Sequence, residues 1–374
     1  MRGITDSCAV GNFVEYRTGL NITHPFLAMA VSVFTAMVCG ANSIAGIARF
    51  VAMTFPTVGR AVGMKSPPSR CTIGRLLAGC RGWEKAGRIN LHVDGKALCG
   101  SRVDGKQMWV VEAWDGEQLI GMETCGPGEE RSAVAKLLQS LDLAGHVITL
   151  DAGLNDRPIL AAAADGGGTY VAQVKANKPS IYNDVQAAFA DAADGHATVE
   201  LGHGRVETRA AAVMDDPVLI AWLRETHDLP GLAAVGRIRR ERITKNTGEI
   251  EQHDAFHLLG GAMAAADYAA AARGHWLVEV MHHCLDAVIG EDAGRSRNRQ
   301  ICAELAVLRR FGMTARRAIC SEHSHAAALD FCRFNPAQTL RRLFPWALVP
   351  RPRHPPTAAA LFGIRLRRRK SVVI

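Results

Sequence analysis

The side chains best placed to do chemistry are acids. Glu279, His282 or His283, and Asp286 fall at i, i+3 or i+4, and i+7 on the stretch Arg273-Gly274-His275-Trp276-Leu277-Val278-Glu279 and its continuation. That spacing puts them on one face of an amphipathic helix. A lone carboxylate on such a face does little. Two partners stand upstream, Asp94 and Asp151, each closing a strand-like run. Hard cations such as Mg²⁺ are held by carboxylate oxygens. Two such ions about 3.5–4 Å apart can activate an attacking oxygen and stabilise a leaving one. That chemistry requires acids from different elements to converge at one sheet edge. Adjacent strands would set Asp94 and Asp151 side by side, and a packed helix would add Glu279. The plainer alternative is that single acids after strands simply sit in turns.

The elements that must position these acids follow from periodicity. Arg88–Asp94 alternates like a strand ending on an acid before Gly95. Gln107–Ala113 and Gln118–Glu123, joined through the turn dipeptide Asp115-Gly116, complete a meander. Arg131–Leu141 has helical spacing, and the short apolar run His146–Asp151 has the character of a buried central strand. A helix from Arg157 to Ala164, a strand Thr169–Val174 and a helix Ile181–Ala192 follow. The pattern is that of a mixed α/β sheet. Strand-like pieces at Ala197–Leu201, Arg205–Val213, Leu232–Ile243 and Asp254–Leu259 form a β-rich insertion. Its basic strand, with Arg237, Arg239, Arg240 and Arg242, suits either a solvated face or a phosphate backbone. Upstream, helices at Pro25–Val38, Ile44–Thr54 and from Ser69 or Thr72 to Leu77 fit a helix-turn-helix DNA reader carrying Arg70 and Arg75, or a plain helical bundle. A further helix covers Glu304–Arg310, and Trp276 is expected in the core.

Composition sets wider bounds. A chain of 374 residues, 48% hydrophobic and 21% charged, is long enough for two or three domains. The formal charge of +8 is a tail property. Nine basic residues and no acid lie between Arg341 and Lys370, and without them 35 basic face 36 acidic residues. Pro345, Pro350, Pro352, Pro355 and Pro356 interrupt regular structure there, so a disordered tail is expected. The ten cysteines form no C-x-x-C and no zinc-ligand pair, which suits reduced thiols in a cytoplasmic protein. No cleavable signal is evident. The uncharged segment Pro25–Ala48 has a dense apolar part of only 14 residues, Phe26–Cys39, a length that suits a core helix better than a membrane span.

Several motifs stand in one order. They are Val93-Asp94-Gly95-Lys96-Ala97-Leu98, Leu150-Asp151-Ala152, and Tyr170-Val171 with Val174-Lys175-Ala176-Asn177 and Tyr182. His203-Gly204-Arg205-Val206-Glu207-Thr208-Arg209 follows, then Arg273-Gly274-His275-Trp276 with Glu279, and Glu291-Asp292-Ala293 with Arg295 and Arg297. From His24 to Phe334 the chain thereby resembles the ISAs-type DDE transposases of bacterial insertion sequences, relatives of the IS-four group. The resemblance implies an α/β, RNase H-like mixed sheet with flanking helices, a β-rich insertion before the last catalytic acid, and an N-terminal helical domain. It implies that Asp94, Asp151 and Glu279 bind two Mg²⁺ (or Mn²⁺) ions. The implied chemistry is DNA cleavage at element ends followed by 3′-OH strand transfer into target DNA. Lys96, Lys175 and Arg273 stand near the acids in the motifs and would contact phosphates, with Arg205, Arg239, Arg240, Arg70 and Arg75 as further DNA-binding residues. His275, His283 and Asp286 would support the triad. The implied partners are the terminal inverted repeats and target DNA, with a homodimer in the active complex and a nucleoid-associated location in the bacterial cytoplasm.

The expected organisation is residues 1–85 as the DNA-binding helical domain and 86–196 with 263–335 as the catalytic core. Residues 197–262 form the insertion, and 336–374 the Pro/Arg-rich tail. Departures from the family pattern include Cys99 in place of Arg, Lys178 in place of Gln, Val280 in place of Asn, Cys284 in place of Trp, and His282 where an apolar residue is usual. The first twenty residues and the Pro/Arg-rich end also differ. These departures leave a second expectation, a catalytically impaired relic that acts only by binding DNA. A helical-bundle dimetal site built on Glu279-x-x-His282 and Glu322-x-x-His325 lacks the further Glu-bearing helices such a site needs.

Overall fold

A computed structural model describes residues 23–79, 90–190, 192–202 and 204–345. The first twenty residues, Arg88 and Ile89, His203, and the tail from 346 onward lie outside the described residues. The described residues divide into two compact units: those within 90–98 and 106–282, and those within 23–79, 99–105 and 283–345.

The first of these units is built on a nine-stranded sheet. Its strands are β1 (Asn90–Val103), β2 (Lys106–Trp114), β3 (Leu119–Cys125), β4 (Val147–Leu150), β5 (Thr169–Val174), β6 (His196–Gly202), β7 (Arg205–Met214), β8 (Ala234–Thr244) and β9 (Ile250–Leu259). They lie in the order β3-β2-β1-β4-β5-β9-β8-β7-β6. β1, β4 and β5 are parallel, while β5 meets β9 antiparallel. The insertion strands therefore extend the central sheet rather than form a separate layer.

Side chains alternate across this sheet with period two. Leu91 and Val93 of β1, Val111 and Ala113 of β2, Ile148 and Leu150 of β4, and Tyr170, Ala172 and Val174 of β5 bury one face. Against it pack Val134, Leu137 and Leu138 of α4 (Glu130–Ser140), Ile159 and Leu160 of α5 (Arg157–Asp165), and Ile181 and Val185 of α6 (Pro179–Ala188). Ile220 and Leu223 join them from α7 (Pro217–His227), a helix within the insertion that the sequence did not predict. Asp216 caps α7 by accepting from the amides of Val218 and Leu219, which is why the chain turns helical there. The intervening residues face the other way, where Val171, Ala211, Ala234 and Leu259 pack with Tyr268 and Ala271 of α8 (Ala265–Gly274). The chain then enters α9 (Trp276–Cys284).

The other unit is helical: α1 (Phe26–Val38), α2 (Ile44–Met53), α3 (Arg70–Gly79), α10 (Arg299–Ile319), α11 (His325–Phe334) and α12 (Pro336–Leu343). α1 is buried along nearly its whole length, and Arg316 of α10 donates to the carbonyls of Met37 and Val38 at its C-terminus. Buried Glu291 receives both Arg309 and Arg310. The N-terminal helices thus pack with the C-terminal ones. Residues 336–345, assigned by sequence to the tail, are ordered as α12 and its continuation, because Leu340, Leu343 and Phe344 bury themselves and Phe344 meets Phe34 edge-on. Among the described residues no helix is long and apolar enough to cross a membrane, and the described cysteines are free thiols.

Candidate active site

Two strands bring the first two acids together. In the parallel pairing of β1 with β4, His92 is opposite Thr149 and Val93 opposite Leu150. Asp94 is the next residue of β1, and Asp151 directly follows the end of β4. Neighbouring strands lie about 4.8 Å apart. Val93 and Leu150 point into the core, so alternation turns His92, Asp94, Thr149 and Asp151 to the α8 face. One expectation needs correction here. β1 does not stop at Asp94 but runs on to Val103. Asp94 marks the end of the parallel pairing rather than the end of the strand.

The third acid arrives on α9. Glu279 lies in its first turn. Glu279 is exposed, yet partial desolvation raises its carboxyl pKa and the neighbouring charges of Asp94 and Asp151 raise it further. The start of α9 is tied to the sheet by hydrogen bonds. Buried Thr149 bridges Nδ1 of His92 at 2.8 Å and Nδ1 of His275 at 2.9 Å. Burial and the nearby His275 push His92 down to about 4, so it is neutral. His275 is lowered mainly by burial, against the pull of Asp94 and Asp151. It therefore stands within electrostatic reach of both aspartates.

Cationic and imidazole groups already occupy the aspartates. Lys175 Nζ lies 2.9 Å from Asp151 Oδ1. Burial tends to raise Asp151, but this hydrogen bond holds it below the ordinary carboxylate value. His282 lies between two acids: Nε2 is 2.6 Å from Glu112 Oε1 and Nδ1 is 3.4 Å from Asp94 Oδ2. Burial disfavours its charge, yet the hydrogen bonds to Asp94 and Glu112 raise it to about 9. His282 is the histidine that approaches Asp94, whereas His283 is exposed and Asp286 half-buried in the helical unit.

A fourth carboxylate, Glu130 at the start of α4, was not among the predicted site residues. Burial raises its pKa, and the charges of Asp94 and Asp151 add to that. A Cβ on Gly95 would collide with Glu130 Oε1, so the absence of a side chain at 95 makes room for this acid. The Asp94-Gly95 step was visible in the sequence, but the identity of the group filling the space was not.

Among the described residues, no three His, Cys, Asp or Glu side chains are gathered in metal-ligand geometry. The donor chemistry nevertheless fits a hard divalent ion. Asp94, Asp151 and Glu279 supply carboxylate oxygens, and Glu279 carries a repulsion that a cation would relieve.

The expected DNA-binding residues are dispersed. Lys96 is buried, so a phosphate contact would require its ammonium to become accessible. Arg239 forms two bonds to Asp254, at 3.0 and 2.9 Å, and Arg273 pairs with Glu200 at 3.0 Å. Arg205 and Arg240 are half-exposed on β7 and β8, and Arg70 and Arg75 are exposed on α3. Trp276, expected in the core, is 60% exposed, with Leu277 and Val280 also exposed beside it.

No protein-family model matches this chain. It is 29% identical over 219 residues to "Putative transposase YncI" of Escherichia coli O157:H7, covering 55% of this chain and 56% of that protein. It is 30% identical over 183 residues to "H repeat-associated putative transposase YhhI" of Escherichia coli strain K12, covering 46% of this chain and 48% of that protein. An "Uncharacterized protein in dhlA 3'region" of Xanthobacter autotrophicus is 28% identical over 200 residues, 47% of this chain and 67% of the relative. The chain spans about half to two thirds of the length of these relatives. Similarity to proteins bearing that name, over about half the chain, supports a transposase-like family.

Proposed function

We propose that this chain is a DDE transposase of the ISAs-type group. It would cleave DNA at the ends of an insertion sequence and join the freed 3′-OH to target DNA. The observation that carries this reading is the register of β1 and β4, which sets two aspartates side by side. Asp94 stands where the parallel pairing of β1 with β4 ends and Asp151 directly follows β4, and Glu279 of α9 lies within electrostatic reach of both. The run β3-β2-β1-β4-β5, an antiparallel meander followed by parallel strands, supports an RNase H-like core.

In this reading Asp94, Asp151 and Glu279 hold two Mg²⁺ (or Mn²⁺) ions. When bound, such ions activate the attacking oxygen and stabilise the charge on the leaving one. The chain's own residues position the reactants. Asp94 and Asp151 are fixed by the sheet, Glu279 by the His92–Thr149–His275 tie, and Lys175 is free to turn from Asp151 to a phosphate as the acids bind cations. Arg205, Arg240 and Arg273 offer further backbone contacts, and the exposed Arg70 and Arg75 of α3 suit recognition of the terminal repeats. A homodimer would bring two ends together.

A second reading, a relic that binds DNA without cutting it, is favoured by one observation. Each aspartate already has a side-chain partner, Lys175 on Asp151 and His282 on Asp94. Sequencing the DNA around the reading frame tests the element itself. Flanking inverted repeats bordered by a target duplication are expected, and purified protein should shift a duplex carrying them in a gel. Flanks without repeats, or no preference for them, would count against the proposal.

A further inference from the structure

Glu112 is fully buried, and the site chemistry described above does not use it. It stands on β2, between Val111 and Ala113, which both enter the opposite core face, so alternation turns Glu112 to the side that carries Asp94. β2 neighbours β1 and β1 neighbours β4, so three adjacent strands present Glu112, Asp94 and Asp151 in turn. A buried carboxylate requires a partner, and His282 Nε2 supplies it at 2.6 Å. A partner for Glu112 alone would not need to address the site with its other nitrogen. His282 does so, with Nδ1 3.4 Å from Asp94 Oδ2. The ring is held in that attitude because Glu112 cannot turn to water. On α9, Glu279 and His282 are at i and i+3, so one turn of helix carries both the third acid and the support of the first.

We propose that Glu112 and His282 form a positioning pair that fixes the carboxylate of Asp94 for metal binding, an inference that rests on the metal-site reading above. Glu112 orients the imidazole, and the imidazole Nδ1–H fixes Oδ2 of Asp94, while Oδ1 accepts from the Gly95 amide at 2.8 Å. Groups that orient a liganding carboxylate typically matter by about 10–100-fold in metal affinity. His282 is thus a positioning residue, not a catalytic one.

The test compares the full-length wild type with Asp94→Asn, Glu112→Gln and the double variant Glu112→Leu with His282→Leu. The double variant removes both charges, so no buried carboxylate is left alone and the fold can be retained. Mn²⁺ binding is read by calorimetry, folding by thermal melting, and the His282 ring by ¹⁵N NMR without metal. Expected results are a cooperative melt for the double variant with Mn²⁺ affinity lower by about 10–100-fold, and His282 ring signals that move in both Glu112→Gln and Asp94→Asn. If the folded double variant binds Mn²⁺ like the wild type while Asp94→Asn binds it poorly, the positioning role is overturned and the metal site stands. If the wild type binds no Mn²⁺, or Asp94→Asn binds it unchanged, the metal reading fails and the proposal with it. An Nδ1 signal that stays put in Asp94→Asn would overturn the contact itself, whatever the metal does.

Discussion

Val93 of β1 pairs with Leu150 of β4 in parallel register, and the residue that follows each is an aspartate. The hydrophobic pair fixes the register, since a slip by one residue would turn Val93 and Leu150 out of the core and the two acids into it. The same pairing that stabilises the sheet thereby sets Asp94 beside Asp151.

If the three acids converge, removing one must relax the others. Asp94→Asn or Asp151→Asn is expected to lower the pKa of Glu279 toward its ordinary value, because each substitution removes a neighbouring negative charge. Carboxyl ¹³C NMR titration in the absence of metal measures this. A Glu279 titration unchanged in both variants would mean the acids do not share a site.

The pair of Glu112 and His282 has a pH signature. His282 is raised to about 9, above an unfolded value of about 6.5. A group protonated more strongly in the folded state contributes stability that is complete below its unfolded pKa and is lost as pH rises through its folded one. The melting temperature of the wild type, relative to the Glu112→Leu and His282→Leu double variant, should therefore fall between about pH 6.5 and pH 9. A difference that stays flat across that window would contradict the charged pair.

Thr149 links the sheet to the start of α9. Thr149→Val keeps the shape but removes the hydroxyl that bridges His92 and His275, leaving buried nitrogen atoms short of a partner. The expected cost is about 1–3 kcal/mol by chemical denaturation, together with a shift in the Glu279 titration as α9 loosens. Loss of stability without any effect on Glu279 would make the tie purely structural.

In the helical unit, Phe344 is buried and packs edge-on against Phe34, with ring centroids 6.2 Å apart. Phe344→Ala is expected to destabilise that unit by about 3–5 kcal/mol, seen as a lower denaturation midpoint. A midpoint within error of the wild type would return these residues to the tail predicted from sequence.

The strands of the sheet were legible in sequence because alternation and short apolar runs report burial directly. Leu91-His92-Val93-Asp94 and Ile148-Thr149-Leu150-Asp151 show the alternation residue by residue. Partnerships were less legible. That His282 rather than His283 would reach Asp94 depends on the rotation of α9 and on Glu112 from a strand 170 positions away. Helical spacing allowed either histidine. Glu130 reaches the site only because Gly95 leaves space across the sheet, a relation no local pattern encodes. The extension of the sheet by the insertion was likewise hidden, since the pairing of β5 with β9 joins residues more than eighty apart. Proline and arginine density suggested a tail from 336, yet Leu340, Leu343 and Phe344 have enough apolar surface to order α12 against the core.

The central claim is tested most directly by cleavage of a duplex carrying the flanking inverted repeat, with purified wild type and with Asp94→Asn, Asp151→Asn and Glu279→Gln, in the presence and absence of Mg²⁺ or Mn²⁺. The account predicts metal-dependent nicking at the repeat end by the wild type and none by any of the three folded variants. Nicking that persists in a variant would remove that residue from the site, and persistence in all three would contradict the account.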